Sequence, residues 1–118
     1  MSLFLSQALA KRIEQADAAI NTAYIEAQRA IAPEVNAEHL QLAGGALLFA
    51  GPKSPINRAV GLGFDSIDDV MLRQLEAWFS SRQCPTRIEV CPLVPSAFVQ
   101  LLTASSYRLI SFKNTWPL

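Results

Sequence analysis

The apolar run Ala59-Val60-Gly61-Leu62-Gly63-Phe64, a helix-like stretch from Ser66 to Arg82 and the β-rich segment Thr86-Arg87-Ile88-Glu89-Val90 restrict this chain more than anything else in it. A strand, a helix of about four turns and a second strand, in that order, are most economically joined as a parallel pair with a right-handed crossover. The helix then lies on one face of a sheet, and the rest of the chain has to supply further strands and cover the other face. The strand-to-helix turn of such a unit is also the usual seat of a nucleotide-like ligand.

With 118 residues, 51% of them hydrophobic, the chain fits one domain, 1–118, with a real core. Ten basic residues balance ten acidic ones and form no cluster, so no field recruits nucleic acid or an anionic membrane. Met1 to Ala10 carries Leu3, Phe4, Leu5 and Leu9, but no basic residue precedes them and Lys11-Arg12 follow at once. It reads neither as a signal peptide nor as a membrane span. Cys84 and Cys91 flank the proposed strand 86–90. Seven extended residues span roughly 23 Å, far beyond the roughly 7 Å a disulfide tolerates. Two buried or half-buried free thiols and a cytoplasmic location are expected.

Leu9, Ile13, Ala16, Ile20, Ala23/Tyr24, Ala27 and Ile31 recur in steps of three and four. They predict an amphipathic helix over 5–31, stopped by Pro33, whose alanine-rich stripe lies on the domain's own sheet. A coiled-coil dimer would ask for a longer, leucine-richer seam. Leu40–Ala43 and Ala46–Ala50 read as an antiparallel hairpin turning at Gly44-Gly45, and Arg58 to Phe64 as a third antiparallel strand. His39, at the start of the first strand, has no acid, Cys or second His at ligand spacing, so it is expected to face solvent or bond locally.

Ser66 can cap the next helix, with Asp69 in a capping-box-like place, and Val70, Met71, Leu72, Leu75, Trp78 and Phe79 form its apolar side. Pro92 and Pro95 end the strand at 86–90, and Ser96 to Thr103 is a short helix with Phe98, Val99, Leu101 and Leu102 inward. Tyr107 to Phe112 reads as a final strand. Glu89 is expected to be a surface or paired carboxylate.

This order of elements resembles the GNAT N-acetyltransferase fold. Arg12-Ile13-Glu14, Leu42-Ala43-Gly44-Gly45-Ala46, the run Gly51 to Gly63 and Glu89-Val90-Cys91-Pro92-Leu93 look like the N-terminal half of bacterial tandem GNAT proteins, in which a degenerate half precedes a catalytic one. The resemblance implies an α+β fold: a mixed sheet of three antiparallel strands and a parallel crossover, helices on both faces, and the final hairpin partner missing. It also implies that the chain is the N-terminal part of a longer, acetyl-CoA-dependent enzyme. Gly61, Leu62, Gly63 and Phe64 would then be a vestigial strand for the pantetheine arm, bulged by its glycines.

Two features of the family are not matched. Its Gln/Arg-x-x-Gly-x-Gly/Ala loop holds the coenzyme A pyrophosphate on backbone N–H groups. The equivalent stretch here, Phe64-Asp65-Ser66-Ile67-Asp68-Asp69, has no glycine and three carboxylates. Each like-charge contact at about 5 Å would oppose a phosphate by roughly 3 kcal/mol at an effective dielectric near 20. The family's late-helix tyrosine, which protonates the leaving thiolate, falls on Leu102, and the glycine after it on Ser106. Tyr107 matches an apolar aromatic, so core packing with its hydroxyl at the rim is expected.

The resemblance therefore implies no catalytic residue and no cofactor in this chain, although acetyl-CoA serves the family. The partner implied is a C-terminal GNAT domain or a second copy in a homodimer, with no nucleic acid, membrane or metal. Two other readings are an acyl-CoA-dependent N-acyltransferase active in its own right and a small-ligand-binding module between strands 58–64 and 86–90.

Overall fold

In the computed structural model, which describes residues 3–108, the chain is a mixed α+β protein. Helix α1 (Leu3–Ile31) is followed by a short 3₁₀ turn at Pro33–Val35, strands β1 (Glu38–Leu42), β2 (Gly45–Phe49) and β3 (Arg58–Val60), and helices α2 (Asp69–Ser80) and α3 (Ser96–Ala104). The strands form an antiparallel sheet in the order β1-β2-β3. Of the final strand expected over 107–112, only Tyr107 and Arg108 fall among the described residues; the rest lies outside them.

The sheet separates two cores. Leu47 and Ala59 point to one face, where Leu62, Leu72, Leu75 and Phe79, with Val94, Phe98 and Leu102, close over them. Ala46, Leu48, Ala50 and Val60 point to the other, against Ala18 and Ile25 of α1 and Ala37. Neighbours in β2 thus serve opposite layers, as the two-residue period of a strand requires.

The extent of α1 agrees with the expectation to within two residues, but the helix is turned the other way round. Its buried residues are Ala10, Ala18 and Ile25, interleaved with half-buried Glu14, Asp17, Asn21 and Gln28. Leu9, Ile13, Ile20, Tyr24 and Ile31, the apolar stripe expected to meet the sheet, are 46% to 82% exposed. The reason is steric. A Cβ on Gly61 would stand 3.4 Å from both Ala18 Cβ and the Glu14 carbonyl oxygen. At Ala18 the helix comes close over Gly61 and a small side chain fits there, while Ile25 packs in the same layer as Ala46, Leu48 and Val60. Polar side chains at the margins reach sideways: Lys11 to Asp65 (2.6 Å), Gln15 to the Gly44 carbonyl (3.4 Å), and Glu26 to His39 Nε2 (2.6 Å).

Three smaller corrections concern ends. The β1–β2 turn is Ala43-Gly44, one residue earlier than expected, since Leu42 pairs with Gly45 and both turn residues have positive φ (48° and 79°). That is the primed geometry a two-residue hairpin prefers. Strand 86–90 contracts to one parallel bridge, Ala59 with Ile88, in which the Ala59 N–H donates to the Arg87 carbonyl and the Glu89 N–H to the Ala59 carbonyl, both at 2.9 Å. Val70 and Val99, expected inward, are exposed.

Between β2 and β3 the chain makes a loop closed by one buried side chain. Asn57 accepts from the Ala50 N–H through Oδ1 and donates to the Gly51 carbonyl through Nδ2, both at 2.7 Å. Its amide is satisfied by the two backbone groups at the loop's entrance, as burial of a polar side chain demands.

Candidate functional site

The residues expected to line a ligand strand, Gly61 to Phe64, follow the last pairing of β3 at Val60. Gly61 (φ 73°) and Gly63 (φ 104°) turn the chain out of the sheet, so the expected bulge within a longer strand is a strand end. Both angles lie where side chains other than glycine are strained. Leu62 is buried and Phe64 half-buried in the α2/α3 core. Gly63 lies directly under α3: a Cβ there would meet Phe98 Cδ2 at 2.4 Å and Val94 Cγ1 at 2.9 Å. Past the single bridge at Ile88, the opening between the two segments is thus filled by Leu62, Val94 and Phe98. It is closed and apolar.

The three carboxylates stand in the loop before α2, at its cap and at its first residue. Asp68, not Ser66, is the cap; its Oδ1 accepts from the Met71 N–H at 2.8 Å, and the helix starts one residue later. The preference for Asp at this position follows from an acceptor satisfying an amide that no helix carbonyl can reach. Asp69 pairs with Arg73 (3.2 Å), one turn on. Asp65 pairs with Lys11 of α1, and its carboxylate lies so close over the hairpin that a Cβ on Gly44 would stand 2.1 Å from Oδ2. Asp68 and Asp69 are thus partnered within α2, and Asp65 by α1.

At the far end of α3, Leu102 is buried where the resemblance would put a proton donor. The Tyr107 hydroxyl donates to Glu76 Oε2 at 2.6 Å, and Arg73, beside Glu76, donates to Ser105 Oγ at 2.7 Å. Partial burial, and secondarily the bond to Glu76, hold this phenol well above its ordinary pKa of 10. It stays a neutral hydrogen-bond donor tying α2 to the end of α3. Glu89 pairs with Arg58 Nε at 2.6 Å, both half-buried, as the paired-carboxylate expectation had it. His39 is largely covered, and its partner Glu26 comes from α1, thirteen residues away; it neither faces solvent nor bonds locally. Cys84 and Cys91 are half-buried thiols, as expected.

One concavity went unforeseen. An open groove of about 440 Å³ runs between Val35, Asn36, Phe49 and Pro52, with the ion pair Arg82–Glu38 at its side. The Arg82 guanidinium also lies 4.0 Å from the Trp78 ring centroid. No local pattern joins residues so far apart in sequence, and the one ion pair is internally neutral. Among the described residues no group of three or more His, Cys, Asp or Glu is placed to hold a metal ion. No helix among them is long and apolar enough to cross a membrane. No family model, curated protein or solved structure matches the chain.

Proposed function

We propose that this chain is a degenerate, non-catalytic GNAT-like domain whose role is to pack against a partner, either a catalytic GNAT half or a second copy, in a cytoplasmic protein. The observation that carries the reading is the filled opening: Phe98 and Val94 lie against Gly63 where the family's thioester arm would run, and the Asp68 carboxylate sits on the helix end where its pyrophosphate would bind. Ser106 adds support. At φ 67° it adopts the left-handed conformation that the family's pattern gives to glycine. Leu102 in the proton donor's place supplies no acid.

Titration calorimetry with acetyl-CoA is the test. No heat at millimolar ligand is expected. Micromolar binding would overturn the proposal in favour of an acyltransferase active in its own right. The closed, apolar gap beside Gly63 also speaks against a ligand-binding module at that place, because polar groups are needed there to orient a guest.

A further inference from the structure

We infer that the outward face of α1 is a self-complementary surface on which two copies of this chain pack as an antiparallel helix pair. Its positions Leu9, Ile13, Ala16, Ile20, Ala23 and Ala27 are separated by four, three, four, three and four residues, the heptad spacing of a helix–helix seam. This seam, about 27 Å long at the α-helical rise, is covered by no other element among the described residues: the sheet lies on the opposite side, against Ala18 and Ile25. A stripe of exposed isoleucines backed by alanines is unusual on a free surface.

What selects a second copy is the order of large and small residues. Set two α1 helices antiparallel, with Leu9 facing Ala27 of the second copy. The same register then puts Ile13 opposite Ala23 and Ala16 opposite Ile20, and the two-fold axis repeats each pair in reverse. Every layer holds one large and one small side chain, so the helices can approach closely along the whole seam. A parallel arrangement would set Leu9, Ile13 and Ile20 each against its own copy and Ala16, Ala23 and Ala27 likewise, and one interhelical distance cannot suit both kinds of layer.

Charge agrees with the antiparallel register. Arg12 is exposed and has no ion-pair partner among the described residues. Beside the seam on the same flank stands Glu26, 54% exposed even with its bond to His39. In that register Arg12 of each copy comes alongside Glu26 of the other, twice per dimer. Such pairs fix orientation more than affinity.

This identifies the partner for the packing role proposed above and rests on that reading. Acetyl-CoA binding would overturn the role, whereas failure to dimerise would overturn only the choice of partner. Sedimentation equilibrium of the full chain from micromolar to millimolar concentration is expected to show a dimer. Ile20→Glu is expected to weaken it by about a hundredfold or more, with an unchanged circular dichroism spectrum, because the side chain is 69% exposed in the monomer.

R12E and E26R are each expected to associate more weakly than wild type, and an equimolar mixture of the two to regain association as a heterodimer, because each substituted side chain then meets an opposite charge. A chain that stays monomeric at millimolar concentration leaves the stripe to some other protein and overturns the inference. So does a dimer insensitive to Ile20→Glu. A dimer that Ile20→Glu breaks, but that mixing does not restore, overturns the antiparallel register.

Discussion

Helices α1 and α2 cover opposite faces of one sheet by opposite means. α2 presents Leu72, Leu75 and Phe79 to large partners and is held by apolar burial. α1 presents Ala10, Ala18 and Ile25, with Ala18 over Gly61 and polar contacts at the margins, and turns Ile13, Ile20 and Ile31 outward. Amphipathicity alone would orient both helices the same way. The difference lies in what each helix meets: α2 packs large side chains in one layer with Leu47 and Ala59, whereas α1 comes close over Gly61 at Ala18 and buries one large side chain, Ile25. Where the helix comes closest to the sheet, at Ala18 over Gly61, the size of the side chain matters as well as its hydrophobicity.

The contrast can be broken by mutation, with the largest effect expected in the α2 layer. Phe79→Ala should destabilise by about 3–5 kcal/mol in urea unfolding, the range for a large buried side chain whose site cannot collapse. A loss below 1 kcal/mol would mean that the α2 core is not the main source of stability. Gly63→Ala, which both strains the backbone and drives a methyl into Phe98, should follow at about 2–3 kcal/mol. A neutral result there would show the opening beside α3 to be roomier than described, and would reopen the question of a ligand.

Asp68→Ala should remove about 1 kcal/mol through the lost cap of α2. The same change made to Asp69, which caps nothing, should have the smaller effect if the helix starts where the structure puts it. The Tyr107 contribution appears only in alkali. Because its folded-state pKa lies above the unfolded value of 10, the stabilisation is complete below pH 10 and is lost as pH rises toward the folded value. Urea midpoints should therefore fall more steeply above pH 10 in the wild type than in Tyr107→Phe. Parallel curves would mean the bond to Glu76 is not kept in solution. Smallest of all, Ile20→Ala should change the stability of the isolated monomer by no more than about 0.5 kcal/mol, since the side chain is mostly exposed there. A cost near that of Phe79→Ala would show α1 to be turned the other way.

Much of the secondary structure was legible because it depends on near neighbours. The periodicity and Pro33 placed α1, Pro95 and the apolar spacing placed α3, and glycine between two apolar runs placed the hairpin. The hairpin turn was misplaced by one residue because Ala43 takes a positive φ that alanine seldom adopts, while Gly45 is needed in the strand for the passage of Val60. The cap of α2 was legible as a choice among Ser66, Asp68 and Asp69, and only the path of the chain after Gly63 decides among them. Strand 86–90 carries β-rich residues, yet after Gly61 the neighbouring segment has left the sheet, and one bridge is all that geometry allows. Of the candidate site, the lack of glycines and the cluster of carboxylates could be read directly. The filling of the opening by Val94 and Phe98 could not, because it depends on where α3 comes to rest.

Asn57 has a consequence for how the chain could be altered. By bonding Ala50 and Gly51 at the loop's entrance, it fastens the two ends of the β2–β3 connection to each other independently of what lies between them. Pro52, Lys53 and Pro55 at the tip are exposed. The connection is thus a closed eyelet on the sheet, and its tip is a natural port for inserted sequence. Lengthening it adds only about 0.6 kcal/mol of closure entropy per doubling, while the strands stay fastened at the neck.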